Sequence, residues 1–544
     1  VGILEVATLM TISPLLKAIN NQQSLKLTNF IFFENLDTTE LLFLSSSSLI
    51  FLLAITSFLK VKTISYGHFL SAEIGGKLSK KLLKNFIGND YLVHKSRQTG
   101  DVINVFTYNL TKSVSFLNAF LNFIIGATSF LFISSFILYA NSLITIGTFV
   151  TLAVSYFYIA KVYKQRIITD SKKVKIKYDE LTNMVQEMIR DIENIIISYK
   201  DELIINKYIA SDRVYKNSSA KISNYNTLPR YIIEGVGLTS FGIFTIIYFV
   251  FNRAKGLETI SFISSIGAIL LGMQKLLPVI NNIYSNWSSM NSNIVSINAL
   301  NNYLIIYSEK NRLTEGKKSI KEFSSDIELC NISYSYGVGK NVLNNISLKI
   351  NKGEKVIINS PSGFGKTTLI NIIAGLIKPR TGIIKLDGYP IGEKISSSQW
   401  KRQIGYVKQK SFLNSGRILD LIIGVKVEEK DQEAAIAKAK YFCKLACIDE
   451  YIEKLPNKYL EYIKEDGNTL SGGQTQRLAI AISLASNPSL IIFDETTSGL
   501  DKELELKVLR NIINFKDLTM IFISHSRTLE NIFDKIINLA DLSF

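Results

Sequence analysis

The run SPSGFGKTT, residues 360–368, lies between an apolar strand-like stretch, KVIIN (355–359), and an apolar helical stretch, LINIIAGLI (369–377). Strand, glycine loop, Lys-Thr and helix are the context that a phosphate-binding loop requires. Backbone N–H groups around Gly363 and Gly365 can wrap phosphates, and the following helix N-terminus adds positive potential. Lys366 is placed to reach the outer phosphates and Thr367 to hold Mg²⁺, while Ser360, Ser362, Phe364 and Thr368 complete the predicted binding run. Ser360 stands where such loops ordinarily begin with glycine. Serine disfavours positive φ, so a strained or reshaped turn is expected there. Further along, LIIFDE (490–495) ends four apolar residues in two carboxylates at a strand's C-terminal edge, where α/β sheets place ligands. Asp494 suits Mg²⁺ coordination and Glu495 suits polarising an attacking water. Acidic residues at one strand end are commonplace; their order after Lys366 is what points to triphosphate hydrolysis.

The string LSGGQTQR (470–477) resembles the signature of ABC-type ATPases, and the family's other strings follow in the expected order. Tyr336 in YSYG looks like the aromatic residue that stacks on adenine, and Gln409 in IGYVKQ like the glutamine that links nucleotide to membrane domain. Asp501 in SGLD (498–501) and His525 in ISHS look like the family's aspartate loop and its γ-phosphate histidine. The resemblance implies ATP and Mg²⁺ as cofactors. It assigns Glu495, His525 and Gln409 to catalysis, and Thr367, Gln409 and Asp494 to the metal. It also implies a head-to-tail pair of such domains, each ATP lying between one phosphate loop and the partner's Ser471, Gly472, Gly473 and Gln474. A hydroxyl and backbone amides at a helix start suit a γ-phosphate. A solitary histidine is more often structural than catalytic; within this set His525 reads as functional.

The elements that must carry these residues fall into two classes. Six apolar stretches, near 1–19, 41–59, 115–139, 142–160, 231–252 and 259–280, read as membrane helices, the first one truncated. Residues 41–59 hold no charge, enough helix to cross about 30 Å of hydrocarbon. Residues 60–114 carry nine Lys/Arg against three Asp/Glu and 161–230 carry fourteen against nine, so both loops belong on the cytoplasmic side. Residues 20–40, with one lysine and three acids, Asn141 and 253–258 then face outside, and residue 281 onward faces ATP. KLSKKLLKNFI (77–87) and YDELTNMVQEMIRDIENIIISYK (178–200) have helical apolar spacing and read as cytoplasmic extensions of the spans. After the polar stretch 308–325, short β-branched runs alternate with helices, the pattern of a mostly parallel sheet covered by helices.

The expected fold is therefore multi-domain: an all-α six-helix transmembrane domain over 1–307, a linker over 308–325, and an α/β P-loop domain over 326–544. A net charge of +16 would suggest nucleic acid in a soluble protein, but here the basic residues sit in loops between apolar spans, and no nucleic-acid partner is expected. Cys330, Cys443 and Cys447 are too few for a structural zinc site and read as reduced thiols. The chain opens at Val1 on an apolar run without a charged leader, which reads as a missing upstream stretch.

NDYLVHKSRQTGD (89–101) is similar to the first coupling segment of ABC exporters. LPRYIIEGVG (228–237) and MQKLLPVINNIYSNWSSMNS (273–292) are similar to the fifth and sixth spans of lipid-linked oligosaccharide flippases. That resemblance implies a homodimeric half-transporter in contact with membrane lipids, moving an amphiphile such as a lipid-linked sugar across the cytoplasmic membrane. A lipid, drug or peptide exporter of the same architecture, or a non-transporting membrane ATPase, stays open. Arg230 and Lys275 have two readings: cations lining a cavity for an anionic head group, or charges that snorkel or pair between helices.

Overall fold

A computed structural model describes residues 2–19, 38–140, 142–199, 201–253, 259–308, 323–337, 341–361, 363–409, 413–464, 470–495, 501–524, 527–539 and 541. The chain forms two compact units, Val1–Asn89 with Ser96–Glu309, and Asp90–Lys95 with Lys310–Phe544.

The first unit is helical. Its long elements are α1 (Gly2–Ile19), α2 (Thr38–Ile87), α5 (Leu110–Ala140), α6 (Ser142–Arg190), α8 (Asp201–Arg253) and α9 (Thr259–Ser308). Among the described residues, Leu42–Ile87, Thr99–Leu138, Thr145–Arg190 and Asp201–Val250 are long and apolar enough to cross a membrane. The side chains of 12–19 and 259–269, and most of the segments expected outside (20–37, Asn141 and 254–258), lie outside the described residues. The serines of α2 fit an apolar span because each binds its own helix: Ser45, Ser46, Ser47 and Ser48 donate to the carbonyls of Leu42, Phe43, Leu44 and Ser45. A core of Ile133, Ile137, Leu152, Ile159, Ile233, Met273 and Leu276 joins α5, α6, α8 and α9. The stretch 178–200 is not the single helix its spacing predicts. Asp191 leaves helical geometry at φ −116°, ψ 21°, so α6 stops at Arg190 and a short α7 (Ile192–Ile197) follows. Apolar periodicity survives a one-residue break, which is why it conceals this one.

In the second unit, α3 (Tyr91–Lys95) groups with the C-terminal part of the chain, whereas α4 (Thr99–Asn104) belongs to the helical unit. Strands β1 (Asp326–Tyr334), β2 (Leu343–Asn351), β4 (Thr381–Leu386) and β5 (Tyr389–Pro390) make an antiparallel sheet in the order β2-β1-β4-β5. A parallel sheet follows the order β11-β3-β10-β9-β6, from β3 (Lys355–Asn359), β6 (Ile404–Val407), β9 (Leu490–Asp494), β10 (Thr519–Ile523) and β11 (Lys535–Asn538). Side chains alternate across a strand, and both faces of this sheet are covered. Val356 and Ile358 enter one core with Leu369 and Ile373 of α10 (Lys366–Ile373), while Ile357 enters the other with Leu478 and Ile480 of α15 (Gly472–Ala485). That double burial explains the unbroken apolar runs KVIIN and LIIFD. Ile358 pairs with Ile523, Ile523 with Asp494, and Val407 with Phe493. This register delivers Ser360, Asp494 and the residues after Val407 to one carboxyl edge.

Candidate nucleotide site

The loop leaving β3 turns through two left-handed glycines, Gly363 at φ 88° and Gly365 at φ 87°. Gly365 is the residue before α10, and a Cβ there would meet Leu343 Cδ2 and Val342 Cγ1 at 2.9 Å. Ser360 is not among the positive-φ residues, so the strained turn expected of a serine in that position does not arise. Its hydroxyl donates to the Pro361 carbonyl at 3.1 Å, and its own carbonyl accepts from Lys366 Nζ at 2.7 Å. Lys366 is 7% exposed and also stands 3.6 Å from Glu495 Oε1. Thr367 is exposed beside the loop, whereas Thr368 is buried, with its hydroxyl 3.1 Å from that of Tyr336. Phe364 and Tyr336 are both exposed aromatics.

The two carboxylates divide their partners. Glu495, just past β9 at φ 51°, accepts from Gln409 Nε2 at 3.1 Å through the oxygen not facing Lys366. Asp494 accepts from the Tyr406 hydroxyl at 3.1 Å. Burial pushes the Asp494 carboxyl above the usual aspartate range, the Tyr406 bond works against that, and the Glu495 charge adds to it. Gln476 of α15 holds the Gln409 backbone by donating to its carbonyl at 3.2 Å. Tyr406 and Gln476 were invisible as site residues in the sequence; only the pairing of β6 with β9 sets Tyr406 beside the Asp494 strand.

Ser471 caps α15 in a reciprocal box. Its hydroxyl accepts from the Gln474 backbone at 3.3 Å while Gln474 Oε1 accepts from the Ser471 N–H at 2.8 Å. Gly472 and Gly473 form the first turn, with the Gly473 carbonyl taking Arg477 Nε at 3.3 Å. Asp501 precedes α16 (Lys502–Ile513) and is exposed. Ser362, His525 and residues 498–500 lie outside the described residues. The structure thus gathers Ser360, Lys366, Gln409, Glu495, Asp494 and Tyr406 at one sheet edge, with Tyr336 and Thr368 joined at the neighbouring helix start.

The donor set suits a hard cation: the Asp494 carboxylate, the exposed Thr367 hydroxyl and the Gln409 amide oxygen. No cluster of three His, Cys, Asp or Glu exists among the described residues. One carboxylate, one hydroxyl and one amide oxygen fit Mg²⁺, which keeps waters and takes phosphate oxygens rather than an all-protein cage.

In the helical unit, Arg230 and Lys275 each have partners of their own. Arg230 Nε pairs with Glu234 Oε1 at 2.8 Å, the same oxygen accepts from Asn281 at 3.0 Å, and Asn281 accepts from Tyr156 at 3.1 Å. Lys275 donates to the Thr8 hydroxyl, beside the Glu5–Lys60 ion pair of 3.0 Å. Arg230 thus pairs within its own helix, and Glu234 in turn reaches Asn281 of α9, while Lys275 of α9 reaches Thr8 of α1.

Compared with solved structures, the chain superposes on a bacterial Atm1-family ABC exporter with ATP bound at a TM-score of 0.79 and 18% identity, over 99% of this chain and 92% of that one. The fold is that of an ABC exporter. Residues 343–498 match the ABC transporter family model, a span that takes in the phosphate loop, Gln409, the signature and both carboxylates. The lactococcin-G-processing and transport ATP-binding protein of Lactococcus lactis subsp. lactis is 35% identical over 239 residues, 44% of this chain and 33% of that protein. The alpha-hemolysin translocation ATP-binding protein of Escherichia coli O157:H7 is 36% identical over 259 residues, 47% of this chain and 35% of its own length. The chain thus spans about a third of the length of these relatives. With four helices among the described residues long and apolar enough to cross a membrane, the chain has the fold of a multi-pass exporter.

Proposed function

We propose that this chain is one half of a dimeric exporter that couples ATP hydrolysis to moving an amphiphilic cargo outward across the cytoplasmic membrane. The observation that carries this reading is the convergence of Lys366, Gln409 and Glu495 at the carboxyl edge of the parallel sheet, within an ABC exporter fold. Lys366 and the Gly363–Gly365 amides hold the phosphates, and the Tyr336 ring stacks on the base. Glu495, aligned by Gln409, takes the proton of the attacking water. Mg²⁺, held through Thr367, Asp494 and Gln409, would neutralise charge on the transferred phosphoryl group. Ser471, Gly472, Gly473 and Gln474 serve the partner copy's nucleotide, and Asp501 and His525 complete the closed site.

For the cargo, the helical unit supports a head group that is polar and sugar-like. From Leu276 to Ser308, α9 carries no charged residue, yet it holds a run of amides and hydroxyls that includes Asn282, Ser285, Asn286 and Ser289 beside Trp287. Amide and hydroxyl groups next to indole are the chemistry that binds sugar hydroxyls. The relatives' names favour a second reading, a peptide cargo. ATP-dependent flipping of a lipid-linked oligosaccharide by the purified protein in liposomes, with a fluorescent amphipathic peptide in parallel, separates the two. Transport of neither, with ATPase activity intact, would remove the exporter reading.

A further inference from the structure

The five-residue helix α3 lies between two stretches of the helical unit in sequence, but it is part of the nucleotide unit. Tyr91 and Leu92 fix it there, packed against the core that contains Ile358 and Leu369. At its last residue, Lys95 is exposed and its ammonium lies 5.8 Å from the centroid of the Tyr336 ring. Tyr336 is half exposed and is held by the contact of its hydroxyl with Thr368 and by an edge-to-face contact with Tyr334 at 5.1 Å. One of the ring's tethers is therefore a cation from the segment whose next residue, Ser96, begins the return into the helical unit.

We propose that Lys95 is a positioning residue for the nucleotide base: its ammonium orients the Tyr336 ring, and through that ring the chain leading to the membrane helices is tied to base occupancy. The proposal rests on the reading of Tyr336 as the base-stacking residue. Ammonium-to-ring attraction is electrostatic and modest at an exposed position. It acts on the ring that meets the base and on no phosphate contact. Losing it should therefore weaken nucleotides and spare ligands that lack a base.

The test measures equilibrium binding of ATP and of inorganic tripolyphosphate, which has phosphates without a base, to the full-length protein in detergent or nanodiscs. Lys95→Met should weaken ATP about two- to five-fold and leave tripolyphosphate unchanged, and Lys95→Arg should restore ATP binding, since guanidinium also packs on aromatic faces. In a Tyr336→Leu background, Lys95→Met should add nothing. Equal weakening of ATP and tripolyphosphate would overturn the proposal in favour of a general charge effect. Tighter ATP binding in Lys95→Met would overturn it in favour of competition for the ring. If Tyr336→Leu weakens ATP while Lys95→Met does not, the proposal alone falls. If Tyr336→Leu leaves ATP binding intact, the base-stacking reading falls with it.

Discussion

Adding one methyl group at Gly365 tests the geometry of the phosphate loop. At φ 87° an L-residue is in the left-handed region, which costs about 1–2 kcal/mol. The new Cβ would also stand 2.9 Å from Leu343 Cδ2 and Val342 Cγ1, and 3.1 Å from the Val342 carbonyl oxygen. That last neighbour is backbone, and Val342 is fixed by its N–H bond to the Tyr334 carbonyl at 2.7 Å, so the wall has little room to retreat. Overpacking of that kind costs a further 1–3 kcal/mol or so. Gly363 is the control. Its φ is 88°, but a Cβ there meets nothing within 4 Å, so only the backbone cost applies. If the loop relieves its strain by moving, the loss appears as nucleotide affinity. Gly363→Ala should weaken ATP roughly 5- to 30-fold, and Gly365→Ala roughly 30- to 4,000-fold. Titration with a fluorescent ATP analogue measures both. Equal losses in the two variants would refute the inference that Val342 and Leu343 confine the loop.

Ser360→Gly should alter ATPase turnover by no more than about a few fold, since Ser360 has no positive φ to relieve and contacts Lys366 through its backbone carbonyl. Tyr406→Phe removes the hydroxyl donated to Asp494, and half-maximal Mg²⁺ for ATPase should rise about two- to ten-fold, the range of one hydrogen bond. Burial raises the Asp387 carboxyl, but the backbone N–H groups of Ser324, Ser325 and Asp326 and the Ser324 hydroxyl outweigh it and hold it below its ordinary value. A depressed carboxylate stabilises the fold above its unfolded-state pKa, and that stabilisation is lost as pH falls through the folded-state value. Asp387→Asn should therefore destabilise the nucleotide unit by about 1–3 kcal/mol at pH 7, with the gap to the parent closing below about pH 4. Denaturation followed by the fluorescence of buried Trp400 reads it out.

The layout of the candidate site was legible because a loop meant for phosphate needs fixed residue types at fixed spacing: Lys366, Gln409, Glu495 and the Ser471–Gln474 cap stand as short strings. Residues that act through strand register were not legible. Tyr406 matters only because β6 lies beside β9, and nothing local to IGYVKQ marks its hydroxyl. The strain expected at Ser360 does not arise, for a related reason. Residue type gives the cost of positive φ, whereas only the backbone shows that the turn takes its positive φ at Gly363 and Gly365. In the helical unit, apolar length located the four long spans. The break at Asp191 was hidden because Ile192, Ile196 and Ile197 continue an apolar spacing through it. Arg230 and Lys275 were visible as charges near the membrane; Glu234 lies one helical turn from Arg230, but its bond to Asn281 and the Lys275 contact with Thr8 required the packing of helices distant in sequence.

The central claim is that Glu495, aligned by Gln409 at 3.1 Å, is the base of an ATP hydrolysis that drives export. The direct measurement is phosphate release and ATP binding by the purified protein in nanodiscs, parent against Glu495→Gln. The account predicts that the variant binds MgATP as tightly as the parent and hydrolyses it at least about 100-fold more slowly. Near-parental phosphate release from Glu495→Gln, or no ATP hydrolysis by the parent, would contradict it.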